Sequence, residues 1–596
     1  MPSGFDGYLT GYYLKQAECF VLCKTWFARE MPRPGCVWTH AYLIPTGLAQ
    51  SGIRHLMSEK SFLRPDITQA DWKQAYMEVI VLDDEPSSLP YGVPMEDSPA
   101  HRLLSLLVMK ETPAVISAEG CAVYNEALSI LLQELPLSFF KEVPFCTGAF
   151  SNRMIGKTLF QLQIVPNEIS KSAWRMNGEE ILFRTDNEVL RNGIVFRAAE
   201  IGEAVGLLEA SGMNTYSRHE LSQLLYMIVI METGDISALQ EKTAAILNLY
   251  GIRYEWLIQQ LMRRCFVKSL EMPAKKRRDV LVELCTAEFV LLGWDAGISA
   301  ADIDDAVRIL YVQGKESVYA MINMLFTESL NELGTRFLRA MANALDEKLF
   351  YDYITDNGDK TGALVSLNPS LALYTGLWAY SYGIQSDALN ALSHLYKESK
   401  NADDAFYRKI LLTIYDTSRE SLIDRIYQCF SALAIDAYFI WAEQTNNISE
   451  YNWSKICRKD PVRSVATLMN VTKQSVFLDV IGTLYPRDTA LQVVKLEVWE
   501  SLYRRFCRDA TQDVQETYAK FLTPVILLSE DHFPDELAEF AFKRVHRILA
   551  ESRMDDLSWG DLSDILPELV VFNMWDRCKR LRKAANNKGY SIDFKE

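Results

Sequence analysis

Cys36 and His40 are the two side-chain types of a thiol–imidazole nucleophile, close together in sequence. Activation of the sulfur needs the ring nitrogen within about 3 Å. Their geometry depends on the surrounding stretch, Thr25–Ile44, TWFAREMPRPGCVWTHAYLI. Pro32, Pro34 and Gly35 punctuate it, so MPRPG is a loop or tight turn. The residue before each proline is pushed toward extended backbone, which argues against a helix. After the turn, CVWTHAYLI is rich in strand formers and predicts a strand over Cys36–Ile44. Four steps along a strand separate Cys36 from His40 by about 13 Å, so the two do not form a dyad with each other. The alternation puts Cys36, Trp38, His40 and Tyr42 on one face, and Val37, Thr39, Ala41 and Leu43 on the other. A catalytic His40 therefore needs a partner from elsewhere. Glu30, Arg33 and Asp66 are the electrostatic or acid–base candidates nearby in sequence. Against this stands the ordinary role of such a residue, a hydrogen-bonded structural histidine.

Other motifs point to less chemistry. Cys19 and Cys23 in CFVLC share the strand spacing, and no second cysteine pair stands at zinc-ligand spacing. Buried thiols are expected, with no metal and no cofactor. Gly156-Lys157-Thr158 imitates the end of a phosphate loop, but Ser151 stands where that pattern needs its first glycine. LFQLQIV then alternates like a strand instead of opening a helix, so nucleotide hydrolysis is not expected there. Lys275–Arg278 (KKRR), after Pro273, reads as a solvated loop between helices. Arg577, Lys579, Arg580, Arg582 and Lys583 form a second basic cluster. Neither is interleaved with aromatics, and 62 basic against 78 acidic residues give a net charge of −16. That balance disfavours nonspecific nucleic-acid binding.

The elements that must position these residues change character near residue 200. Before it, prolines and glycines recur among short extended and helical runs. Strands are predicted at Phe20–Lys24, Cys36–Ile44, Tyr76–Leu82 and Thr158–Val165, and helices at Ile53–Ser58 and Glu126–Gln133. This is a mixed α/β recognition module over residues 1–170. The polar, irregular Pro166–Asn192 is a connection or peripheral hairpin, and residues 171–199 join the module to the rest of the chain. From 200 to 596 the pattern is helical. Ser299-Ala-Ala-Asp302 is a capping box ahead of Ile303, Val307, Leu310 and Tyr311. Leu491, Val494, Val498, Leu502 and Phe506 predict one amphipathic helix. Phe406, Ile410 and Ile414, then Leu422, Ile426 and Phe430, predict two more, joined near Thr417. The fold class is thus an α+β N-terminal domain followed by a long all-α helical array or bundle, divisible into two sub-domains. At 596 residues the chain exceeds one core, and 49% hydrophobic with 23% charged residues is a folded composition. Eleven scattered cysteines, a polar start and no apolar run longer than the one around Leu224–Met231 lead to the expectation of a cytoplasmic protein without a membrane span.

Three segments together carry a family resemblance: Tyr8–Leu14 (YLTGYYL), Thr25–Ile44, and Pro144–Pro166 (PFCTGAFSNRMIGKTLFQLQIVP). They resemble the N-terminal module, type one, of the GTPase-associated proteins of bacterial conflict systems. The resemblance covers roughly residues 5–170. Trp26, Pro32, Arg33, Pro34, Gly35, Trp38, His40 and Arg153 carry its structural or recognition motif. The family's module opens with a further Gly-Tyr and Gly-His segment, whereas here the YLTGYYL run starts close to Met1. Activity resting on that histidine is accordingly not expected. The resemblance implies a non-enzymatic adaptor, sensor or regulator of anti-phage defence. Its implied partners are a GTPase encoded in the same neighbourhood and other defence proteins. The competing reading is a hydrolase-type effector using His40. Geometry separates them: an effector needs Trp38, His40 and Arg153 lining one cleft, with a carboxylate within hydrogen-bond range.

Overall fold

The computed structural model describes residues 4–33, 35–48, 50–59, 62–64, 93–109, 112–168, 182–185, 188–189, 196–213, 215–398, 403–418, 420–445, 452–567 and 574–595. Its first elements are an antiparallel meander, β1 (Gly7–Leu14), β2 (Cys19–Phe27) and β3 (Val37–Pro45). Helices α1 (Gln50–Glu59) and α2 (Pro99–Met109) come next, then β4 (Ala114–Ala118), α3 (Ala122–Glu134) and α4 (Leu137–Lys141). After these stand β5 (Phe145–Cys146), β6 (Met154–Ile155), β7 (Thr158–Leu159), β8 (Leu162–Pro166) and β9 (Leu182–Thr185). Seven strands form one mixed sheet in the order β3-β2-β1-β5-β8-β4-β9, and β6 with β7 makes a separate hairpin. The β5, β8, β4 and β9 pairings are parallel. AVISA of β4 and LQIVP of β8 are buried throughout, as parallel strands covered on both faces must be. β3, an edge strand, instead alternates covered and exposed residues.

Register assigns the faces. Opposite residues share a face, so Leu9, Leu22, Lys24, Trp26, Trp38, His40 and Tyr42 lie on the first. Tyr8, Thr10, Cys23, Thr25, Thr39, Cys146 and Gln163 lie on the second. Phe140 of α4 packs on Phe20 and Phe145, and Lys141 stands over Tyr13, so α4 covers the first face. Asn125 of α3 donates to Gly7 O at 2.8 Å and receives the Leu9 amide at 3.3 Å, which binds that helix to β1.

The predicted strand Thr158–Val165 is two strands, interrupted at Phe160 and Gln161. There the chain leaves the small hairpin to join the sheet. Gly156-Lys157 is the turn of that hairpin, with Gly156 at φ +62 and flanking strands on both sides. This is the geometry of a two-residue primed turn, not of a phosphate loop. Within the stretch read as a connection, Leu182–Thr185 pairs with β4. The predicted strand Tyr76–Leu82 lies outside the described residues.

Among the described residues no strand comes after β9. The chain divides into two compact units, Met1–Phe337 and Leu338–Glu596. In the first, Tyr226 of helix Arg218–Thr233 donates to Met109 O at 2.8 Å, seating that helix on α2. Ser299 and Asp302 form the expected capping box, and Ile303, Val307 and Leu310 are buried. KKRR is not a loop: it opens helix Ala274–Thr286, where Pro273 is the N-cap and Arg277 turns inward to donate to Met272 O. In the second unit, the helices Asp404–Thr417 and Ile423–Phe430 bear out the periodicity read around Thr417. Tyr415, Tyr438, Trp441 and Trp453 form its aromatic centre, with the Trp453 indole donating to Tyr415 O at 3.1 Å. The single helix predicted over Leu491–Phe506 is three pieces: a 3-10 turn Thr489–Val493, helix Leu496–Leu502 and a π turn Tyr503–Cys507. Leu491, Val494, Leu502 and Phe506 are nevertheless buried, because short consecutive turns can bury the same spacing. Helices neighbouring in chain order pack on one another, as in an array.

Candidate functional site

The loop Ala28–Cys36 joins β2 to β3 and is closed by the Ala28 amide donating to Cys36 O at 2.9 Å. Pro32 and Arg33 are exposed on it, Gly35 takes φ +86, and Pro34 lies outside the described residues. Trp26 and Trp38 face each other across the last rungs of the ladder, both half-buried. The Trp38 indole donates to Glu30 Oε1 at 2.7 Å, and Arg64 Nη2 donates to Glu30 Oε2 at 2.8 Å. Glu30's own backbone, then Trp38 and Arg64, hold its carboxyl below the ordinary carboxylate range. Glu30 is therefore committed to tying the loop to the strand.

His40 is 7% exposed. Its Nδ1 accepts the Leu63 amide at 2.9 Å, and its ring lies 4.8 Å from Tyr42 and 5.8 Å from Phe62. Burial lowers its pKa below 6.5, so the neutral ring is favoured, as acceptance of an amide hydrogen requires. Asp66 lies outside the described residues. Cys36 precedes β3 and is half-buried.

Arg153 belongs to the other face. The segment after β5 folds across the second face, where Phe150 packs on Tyr8 and Phe160 on Tyr12. Arg153 there stands against Tyr8 and Cys146, and its amide donates to Gln163 Oε1 at 2.8 Å. Thr25 and Thr39 share a hydroxyl contact at 3.1 Å on the same face. The structure thus brings Trp26, Trp38 and His40 together and puts Arg153 across the sheet from them. Burial pushes the Cys146 and Tyr8 protons up, and that of Cys23 to about 11. Thiols held protonated are poor nucleophiles, so this cluster binds its own segments together.

Sequence reasoning missed the partners of this second cluster, Tyr8, Thr10, Thr25, Cys146 and Gln163. The available signal was the alternation of hydroxyl-bearing residues in YLTGYYL. It also missed Thr147, whose Oγ1 accepts the Leu9 amide at 2.8 Å and locks β5 against β1. No group of three or more His, Cys, Asp or Glu residues among the described residues is arranged to hold a metal ion. No helix among the described residues is long and apolar enough to cross a membrane.

The family described as GTPase-associated protein 1, N-terminal domain type 1, matches residues 1–55. That match spans YLTGYYL and MPRPGCVWTH, while the third resembling segment, Pro144–Pro166, lies beyond it. No curated protein matches the chain. The crystal structure of an engineered protein is similar at 14% identity, over 65% of this chain and 99% of that one, with a TM-score of 0.21.

Proposed function

We propose that the protein is a non-enzymatic adaptor, sensor or regulatory component of a GTPase-centred conflict system of prokaryotes. The observation that carries the reading is the match of residues 1–55 to the GTPase-associated N-terminal domain. Its supports are the wedged, neutral His40 and the commitment of Glu30 to Trp38 and Arg64. In this reading residues 1–170 are the recognition module, 171–199 the connection, and 200–596 the contact surface for a GTPase and other defence proteins. The protein works in the cytoplasm without a cofactor, and nucleic acid is not its partner. A GTPase orders its switch segments around the γ-phosphate and releases them on hydrolysis, so a partner touching those segments prefers one state.

The test is binding of the full chain to the GTPase encoded beside it, loaded with GDP or with a non-hydrolysable GTP analogue. The expected result is a complex with at least about fivefold preference for one state, the lower end of typical coupling. Equal affinity for both states would remove the switch argument. Absence of a complex in either state would sink the adaptor reading.

A further inference from the structure

In the second unit, helices Asp535–Ala550 and Met574–Asn587 and the segment Asp593–Lys595 enclose a half-open cavity of about 720 Å³. That is the size of a small-molecule site and too small for a folded partner. Its charge is opposite to that of the chain. Among the described residues, Lys543, Arg544, Arg547, Arg582 and Lys595 line it against Glu551 and Asp593, five cations to two carboxylates, an excess of three. The molecule as a whole carries −16.

One wall is aromatic. Phe594 lies 5.0 Å from the ring of His546, tilted by 32°. His546 is itself buried, and its Nε2 accepts from Arg582 at 3.0 Å. A guanidinium only donates, so Nε2 is the acceptor in this contact. Arg582 also stands 5.8 Å from the Phe594 ring centroid. The wall therefore offers an aromatic face backed by a cation. Lys543, Arg544 and Arg547 rise beside His546 on the same helix, within about one turn. Lys543 bridges to Glu539, and Arg547 to Glu551 at 2.8 Å. Both pairs are solvent-exposed and so weakly held, which lets a doubly or triply charged phosphate group compete for the cations.

We infer that this cavity binds a nucleoside phosphate, its base against Phe594 and its phosphates on Lys543, Arg544 and Arg547. Planar ring, apolar wall and an excess of three positive charges match a nucleotide of two or three phosphates. They match neither an uncharged metabolite nor a simple anion.

The test is calorimetric titration of the full chain with ATP, GTP, adenosine and inorganic tripolyphosphate at low salt. The expected result is saturable binding of at least one nucleotide, weakened by salt, with adenosine and tripolyphosphate each at least about tenfold weaker. Phe594→Ala, and separately Lys543→Gln with Arg547→Gln, should each raise Kd by about tenfold or more while circular dichroism and thermal melting stay unchanged. Phe594 lies outside both helices, so its single substitution provides a readout even if the paired substitution fails to fold. Absence of saturable binding at millimolar nucleotide, affinity unchanged in Phe594→Ala, or tripolyphosphate binding as tightly as ATP would each overturn the inference.

Discussion

Trp38→Ala removes a half-buried ring and the hydrogen bond its indole donates to Glu30. A fully buried tryptophan would cost about 3–5 kcal/mol, so partial cover sets the expected loss at about 2 kcal/mol. Thermal melting measures it, and Trp38→Phe, which keeps much of the ring but not the donor, should fall between. His40 has a consequence in pH. Its folded pKa lies below 6.5 because burial disfavours the imidazolium, so the unfolded chain takes up the proton first as pH falls. Stability should therefore decline below about pH 6.5, and His40→Asn should flatten that decline in melts taken between about pH 5 and 7. The grouping of Trp38 with His40 was legible from alternation alone. The position of Arg153 was not, because it depends on β1 pairing with β5, and Thr10 and Cys146 are 136 positions apart. No local pattern encodes a pairing over that span.

Glycines show how one element makes room for another. A Cβ on Gly148 would lie 2.4 Å from Tyr8 Cγ, and one on Gly11 would lie 2.4 Å from the Phe145 ring. The first approach lets the segment after β5 lie flat on β1, and the second lets the Phe145 ring of β5 lie over β1 on the opposite face. Gly148→Ala should cost about 1–3 kcal/mol through overpacking. Gly35→Ala meets nothing within 4 Å and should cost only the strain of φ +86, about 1 kcal/mol. Melting temperatures that rank Gly35→Ala as the more damaging would contradict this packing. Strand and helix types were mostly legible, since β2, β3, α1 and α3 fall on predicted runs. Breaks were not. Leu491 to Phe506 keeps its apolar spacing across the break at Val494 and Lys495 and the change from α to π turns at Tyr503, because burial constrains which side chains point inward and not whether the backbone between them is regular.

Across the whole molecule, charge is handled pair by pair, and Glu516 is the clearest case. Arg553 donates to both its oxygens, at 2.6 and 2.8 Å, and Gln512 adds a third bond. Arg553 first, with Gln512, brings its pKa from 4.5 to about 2. A depressed carboxylate stabilises the fold above its unfolded pKa and loses that contribution as pH falls toward the folded value. Glu516→Gln should therefore lower Tm at neutral pH and converge with the parent near pH 2. Equal Tm at neutral pH would mean the pair contributes nothing. The passage from mixed sheet to continuous helix was legible from proline and glycine usage. The excess of positive charge around Phe594 among the described residues was not, because those residues come from two helices and the segment Asp593–Lys595, which no spacing links. The central place of β1 also bears on any attempt to study the family-matched stretch alone. β1 lies between β2 and β5, and residues 1–55 include only the first of those neighbours. Cut there, the peptide would present an open row of amides and carbonyls along β1, a template for sticking to further copies of itself. The matched stretch is a motif borrowed from a larger sheet, and a fragment that keeps every strand pairing has to run on at least through Thr185.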